Sequence, residues 1–71
     1  MKSELRQQIG NKLIKLRQEQ NISQEKLANL AGLDRSYISR IERAIISPTM
    51  ENFFKICDAL DIPPYKFLED M

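Results

Sequence analysis

The sequence predicts an all-α fold of five helices, and three observations carry that prediction. Apolar residues recur at helical spacing in successive stretches, and no segment reads as a strand. Cap and stop residues punctuate those stretches: Ser23, Asp34 and Thr49 stand before helical patterns, Gly32 follows one, and Pro64 suits a first helical position. Ala28, Gly32, Leu33, Ile38 and Ile41 have the small–glycine–apolar–apolar–apolar spacing of a helix-turn-helix, placed here at residues 24–43.

In the first helix, Leu5, Ile9, Leu13 and Leu16 form one stripe, with Ser3 as its expected cap. Gly10 interrupts the pattern at about 1 kcal/mol relative to alanine, so it marks close packing or the start of the well-ordered helix. The helix is expected to end near Gln20, because Asn21 suits a left-handed turn. Ser23 caps the second helix, whose apolar positions are Leu27, Leu30 and Ala31, and Gly32 ends it. A turn this tight requires a steep helix crossing, and Ala28 supplies the small residue between the two helices. Asp34 is placed to cap the third helix, with Ile38 and Ile41 buried. No glycine follows Arg43; Ala44, Ile45, Ile46 and Ser47 come instead. Thr49 caps the fourth helix, with Met50, Phe53, Ile56, Cys57 and Leu60 as its buried stripe and Phe54 near the edge. A short fifth helix from Pro64 carries Tyr65, Phe67 and Leu68 back toward the core.

The third helix divides into two faces. Asp34, Tyr37, Ile38, Ile41 and Ile45 fall on one side, while Arg35, Ser36, Ser39, Arg40 and Arg43 share an arc of roughly 140°. That arc holds three guanidinium groups, two hydroxyls and no carboxylate. Arginine pairs bidentately with the acceptor edge of guanine and also binds phosphate, and serine serves either partner. The competing reading is a solvated face of an ordinary helical hairpin; the turn spacing favours DNA. Tyr37 stands at the boundary, able to pack on the first turn, lean on a sugar or base, or do both.

Composition bounds the rest. Seventy-one residues make one small domain, 1–71, with modest stability expected. Residues 1–44 carry nine basic and five acidic side chains, a balance of +4; residues 45–71 carry two and five, a balance of −3; together they give the net +1. A basic front and an acidic back suit a protein that turns one end to a polyanion. No stretch approaches the roughly 20 apolar residues of a membrane span, and the start lacks a signal-peptide apolar segment, so a cytoplasmic protein without membrane contact is expected. The sequence has no histidine, which removes histidine-based triads and the common zinc sites. The single Cys57, on the apolar stripe of the fourth helix, reads as a buried hydrophobe rather than a nucleophile. Neither catalysis nor a cofactor nor a metal is expected.

The segments IGNKLIKLRQEQNISQEKLA, AGL, YISRIER and SPTMENFFKICDALDI resemble the Cro and repressor-type helix-turn-helix family, also called the xenobiotic-response-element family, over nearly the whole chain. Within it, LDRSYISRIER looks most like controller proteins of restriction–modification systems and short phage-type repressors. The resemblance implies a five-helix lambda-repressor-like DNA-binding domain. It implies that Gln24 contacts phosphate, that Arg35, Ser36, Ser39 and Arg40 face base edges, and that Tyr37 and Arg43 lie near the DNA backbone. It also implies an ion pair between Arg17 and Glu42 that docks the first helix on the third. Ala44 departs from the family's usual glycine, which leaves the path of the following loop open.

The function expected is a sequence-specific regulator that binds a two-fold operator in double-stranded DNA as a homodimer. RNA polymerase or a regulatory protein is a further candidate partner. The alternative is a protein-interaction module of the same fold, antitoxin-like, with little specific DNA binding. From length alone, no small-molecule effector is expected. Ile45, Ile46, Ile62, Pro63, Tyr65 and Phe67 are the candidates for the dimer interface, because the core of so small a domain does not absorb them all. A competing reading buries both isoleucines beneath their own loop.

Overall fold

The computed structural model describes residues 2–71, with the side chains of Lys2 and Ser3 left out. Ser3 as a helix cap therefore lies outside the described side chains. Five helices follow one another: α1 (Lys2–Glu19), α2 (Gln24–Ala31), α3 (Arg35–Glu42), α4 (Met50–Ala59) and α5 (Pro64–Leu68), with no strand among the described residues. α2 packs on both α3 and α4, α1 lies against α3, and α5 closes on α4. No described helix is long and apolar enough to cross a membrane.

The core is built from one or two side chains per helix. Leu13, Leu27, Ile38, Ile41, Ile56, Leu60 and Phe67 are fully buried, and Ala28 fills the steep crossing where a larger side chain would hold the helices apart. Phe53 meets Phe67 edge to face, with ring centroids 5.1 Å apart. Cys57 is sealed in the same core, and burial pushes its thiol up to about 11.

Gly10 explains the approach of α1. A methyl group at its α-carbon would stand 2.6 Å from the carbonyl oxygen of Ile41 and 2.9 Å from that of Glu42. The glycine lets the backbone of α1 lie directly on the last turn of α3.

Four helices end in the same way. Asn21, Gly32, Ala44 and Asp61 all have positive φ, at 57°, 70°, 64° and 59°. An aliphatic residue follows each and closes the motif with a bond five residues back. Ile22 donates to the carbonyl of Arg17 at 3.2 Å, Leu33 to Ala28 at 2.9 Å, Ile45 to Arg40 at 3.0 Å and Ile62 to Cys57 at 3.0 Å. α3 thus stops by the ordinary left-handed device although alanine replaces glycine, which defines the start of the 44–48 path. A left-handed alanine is strained by about 1–2 kcal/mol, partly offset by the lower unfolded-state entropy of alanine. Ala44→Gly is therefore expected to stabilise the fold by about 1 kcal/mol and to raise the thermal midpoint by roughly 5 °C. An unchanged or lower midpoint would show that the methyl group contributes packing that outweighs the strain.

Several expectations require correction. Met50 is 69% exposed, because the core closes at Phe53 and the stripe runs one turn past it. Leu30 is 53% exposed: it lies about 100° around α2 from the centre of the buried Leu27, Ala28 and Ala31. Leu5 is exposed for the same reason as Met50, one turn beyond Ile9. In α5 only Phe67 reaches the core, while Tyr65 and Leu68 remain exposed. Phe67 is consequently excluded from any interface. Ile46 and Ile62 are half-buried against the core, and only Ile45, Pro63 and Tyr65 of the interface candidates are exposed. Asp34 stands at the cap position of α3 with extended backbone but makes no side-chain cap bond. Ser23 and Thr49 do cap, accepting from Lys26 at 3.0 Å and Asn52 at 3.1 Å.

Candidate nucleic-acid interface

Two capped or tightly closed turns fix α2 and α3 relative to each other, and α3 presents its polar arc outward. Arg35, Ser36, Arg40 and Arg43 are exposed, and Ser39 is half-buried beside them. Two of the arginines rest on their own helix. Arg40 Nε donates to the carbonyl of Ser36 at 3.4 Å, and Arg43 Nε donates to Ser39 Oγ at 3.2 Å. Each keeps its other guanidinium N–H groups for an external acceptor. Arg43 stands at the C-terminal cap of α3, one residue before the strained Ala44.

The single acid within α3 is turned inward. Glu42 is 8% exposed, and Arg17 approaches it with two bonds, Nε to Oε2 at 2.8 Å and Nη2 to Oε1 at 3.0 Å. The remaining Nη1 of Arg17 donates to the carbonyl of Ile22 at 2.9 Å, at the turn between α1 and α2. Bonding to Glu42 raises the Arg17 guanidinium above its ordinary range despite the opposing effect of burial. Glu42 also accepts from Gln24 Nε2 at 2.9 Å. One carboxylate therefore joins the end of α1, the first residue of α2 and the last turn of α3. This neutralisation leaves the outward arc without negative charge.

Gln24 had no local sequence signal for this role, since its partner stands 18 residues away. Its bond to Glu42 fixes which way the amide faces and leaves one N–H for an external acceptor. Tyr37 is half-buried against the core, and its hydroxyl accepts from the backbone N–H of Thr49 at 3.2 Å. The ring packs inward while the oxygen reaches the cap of α4, as the packing alternative for Tyr37 requires. Its hydroxyl hydrogen is still available as a donor.

Residues 13–67 match the helix-turn-helix family. The chain belongs to that family. Control protein C.BamHI of Bacillus amyloliquefaciens is 39% identical over 70 residues, which span 97% of this chain and 86% of that protein. Control protein C.MunI of a Mycoplasma species is 36% identical over 70 residues, spanning 97% and 95%. Among solved structures, the restriction-modification controller protein C.AhdI from Aeromonas hydrophila superposes with a TM-score of 0.85 at 40% identity, covering 87% of this chain and 94% of that one. The five-helix architecture is thus shared with a solved restriction-modification controller protein.

Proposed function

We propose that this chain is a transcriptional regulator that binds double-stranded DNA by sequence, with α3 in the major groove and two copies on a two-fold operator. The observation that carries this reading is the outward arc of α3: three arginines and two serines with no exposed acid among them, because Glu42 is sequestered by Arg17 and Gln24. Arg35, Ser36, Ser39 and Arg40 are assigned to base edges. Gln24, Tyr37 and Arg43 flank them and are assigned to the DNA backbone. The similarity to restriction–modification controller proteins supports the same reading.

Selection of bound duplexes from a random library tests this directly, by giving the motif, its symmetry and its half-site spacing. On the selected site, Arg35→Ala or Arg40→Ala is expected to cost about 1–3 kcal/mol and to relax preference at one base position. Arg43→Ala is expected to weaken selected and random duplexes alike, because phosphate contacts position without specifying. Affinity should fall steeply with salt. Enrichment of no motif, with salt-insensitive binding, would favour the protein-interaction alternative.

A further inference from the structure

Of the four aliphatic residues that close a left-handed helix ending, one is placed differently. Ile22, Leu33 and Ile62 fold back onto the core and are half-buried. Ile45, the equivalent residue after α3, is 46% exposed. Its backbone is held as firmly as theirs. The Ile45 amide donates to the carbonyl of Arg40 at 3.0 Å, and the next residue, Ile46, packs against the core. Further on, the hydroxyl of Tyr37 accepts from the backbone N–H of Thr49 at 3.2 Å, which fastens the far end of the loop to α3. A β-branched side chain with little rotamer freedom is therefore fixed in place and left in solvent.

We propose that Ile45 determines specificity by packing on the methyl group of a thymine at the edge of each half-site. The inference rests on the DNA reading given above and adds a base contact beyond the last turn of α3. The closing residue of such an ending sits beside the residue whose carbonyl it binds. For Ile45 that residue is Arg40, already assigned to a base edge. Arg40 does not cover it, because its Nε turns back one helical turn to the carbonyl of Ser36 at 3.4 Å. The charged neighbours also suit a polyanion: Arg40 and Arg43 are exposed, whereas Glu42 is buried.

The chemistry of the side chain selects thymine. A polar residue here would serve phosphate, which is the same at every base pair and carries no sequence information. An aliphatic residue gains nothing from phosphate, and the apolar group that the major groove displays is the thymine methyl. Covering one methyl group is worth about 4-fold in affinity. Because the Ile45 backbone is already fixed, little ordering opposes that gain.

Deoxyuridine substitution in a library-selected duplex tests the proposal, since it removes the thymine methyl and keeps the base pair. Each thymine is replaced in turn, in both half-sites together, and affinity is measured for the wild-type chain and for Ile45→Ala. At one position deoxyuridine should weaken the wild-type chain about 4-fold per half-site. Ile45→Ala should bind the thymine duplex more weakly by a similar factor and be indifferent to deoxyuridine at that position. Circular dichroism checks folding, and sedimentation equilibrium should show self-association unchanged. If Ile45→Ala fails to fold, Ile45→Thr, which keeps the branch but loses apolar carbon, takes its place. A selected motif in which no thymine behaves this way would overturn the proposal. An equal loss in the variant on thymine and deoxyuridine duplexes would also overturn it and give the side chain to deoxyribose. Weakened self-association would overturn it too and give Ile45 to a second copy. A library that yields no motif would remove the regulator reading and this contact together.

Discussion

Gly10→Ala is expected to cost about 3 kcal/mol. The added carbon would meet the carbonyl oxygens of Ile41 and Glu42 at 2.6 and 2.9 Å, and both are backbone atoms of α3 with no rotamer to yield. Relief requires α1 to move off α3, which opens the contact that buries Leu13 and displaces Arg17 from Glu42. Overpacking of this kind usually costs about 1–3 kcal/mol, and rigid neighbours place it at the upper end. A chain of this length has a total of only about 4–11 kcal/mol. Gly32→Ala is the control, since nothing lies within 4 Å of its added carbon and the penalty is the positive φ of 70° alone. That change should cost about 1 kcal/mol. Urea denaturation followed by circular dichroism separates the two. Equal midpoints would mean that α1 slides freely and that Gly10 does not set the packing.

Arg17→Met is expected to cost about 3 kcal/mol, and the cost should fall when Glu42 is replaced as well. The side chain of Glu42 is only 3% exposed, so without Arg17 a buried carboxylate retains one donor, the amide of Gln24. Leaving one charge of such a pair unmatched typically costs about 3–5 kcal/mol, and the 15% exposure of Arg17 argues for the lower end. Glu42→Gln should be milder, because an amide oxygen still accepts from Arg17 and the partly exposed guanidinium reaches water. The double variant Arg17→Met with Glu42→Met removes both charges and should recover much of the loss. A double-mutant cycle by thermal or urea unfolding measures the coupling. Strict additivity of the two single losses would show that the pair contributes little beyond two independent side chains.

The fold was legible wherever the determinant is local. Caps at Ser23 and Thr49, the glycine at 32 and the proline at 64 each act within a few residues, and the five helices follow from them. Ala44 shows the limit of that reading. Its left-handed conformation is set by the Ile45–Arg40 bond and the docking of its surroundings, which override the preference of the residue itself. Burial was less legible than helix position, because a stripe tells which side faces inward and not where the opposing layer ends. Met50 and Leu5 continue their stripes past that edge and become surface, whereas Phe67, read both as returning to the core and as an interface candidate, is core. The arginine arc was read from angle alone, and the Arg17–Glu42 pair expected from the resemblance is present, but the bond from Gln24 to the same carboxylate was not legible. Glu42 is removed from it by Arg17 and Gln24, which come from other helices. Gly10 was similarly ambiguous, since a sequence does not say what stands opposite a glycine.

The four left-handed helix endings have a kinetic consequence. Each is completed within six consecutive residues, from the carbonyl of Arg17, Ala28, Arg40 or Cys57 to the amide of the following aliphatic residue. Four reversals of the chain are therefore written into short stretches that close without a distant partner. What remains for folding is the docking of preformed corners, a search among few arrangements. Helical domains rich in such local contacts fold in about microseconds to milliseconds. Each newly made chain therefore reaches its folded form almost as soon as it is released.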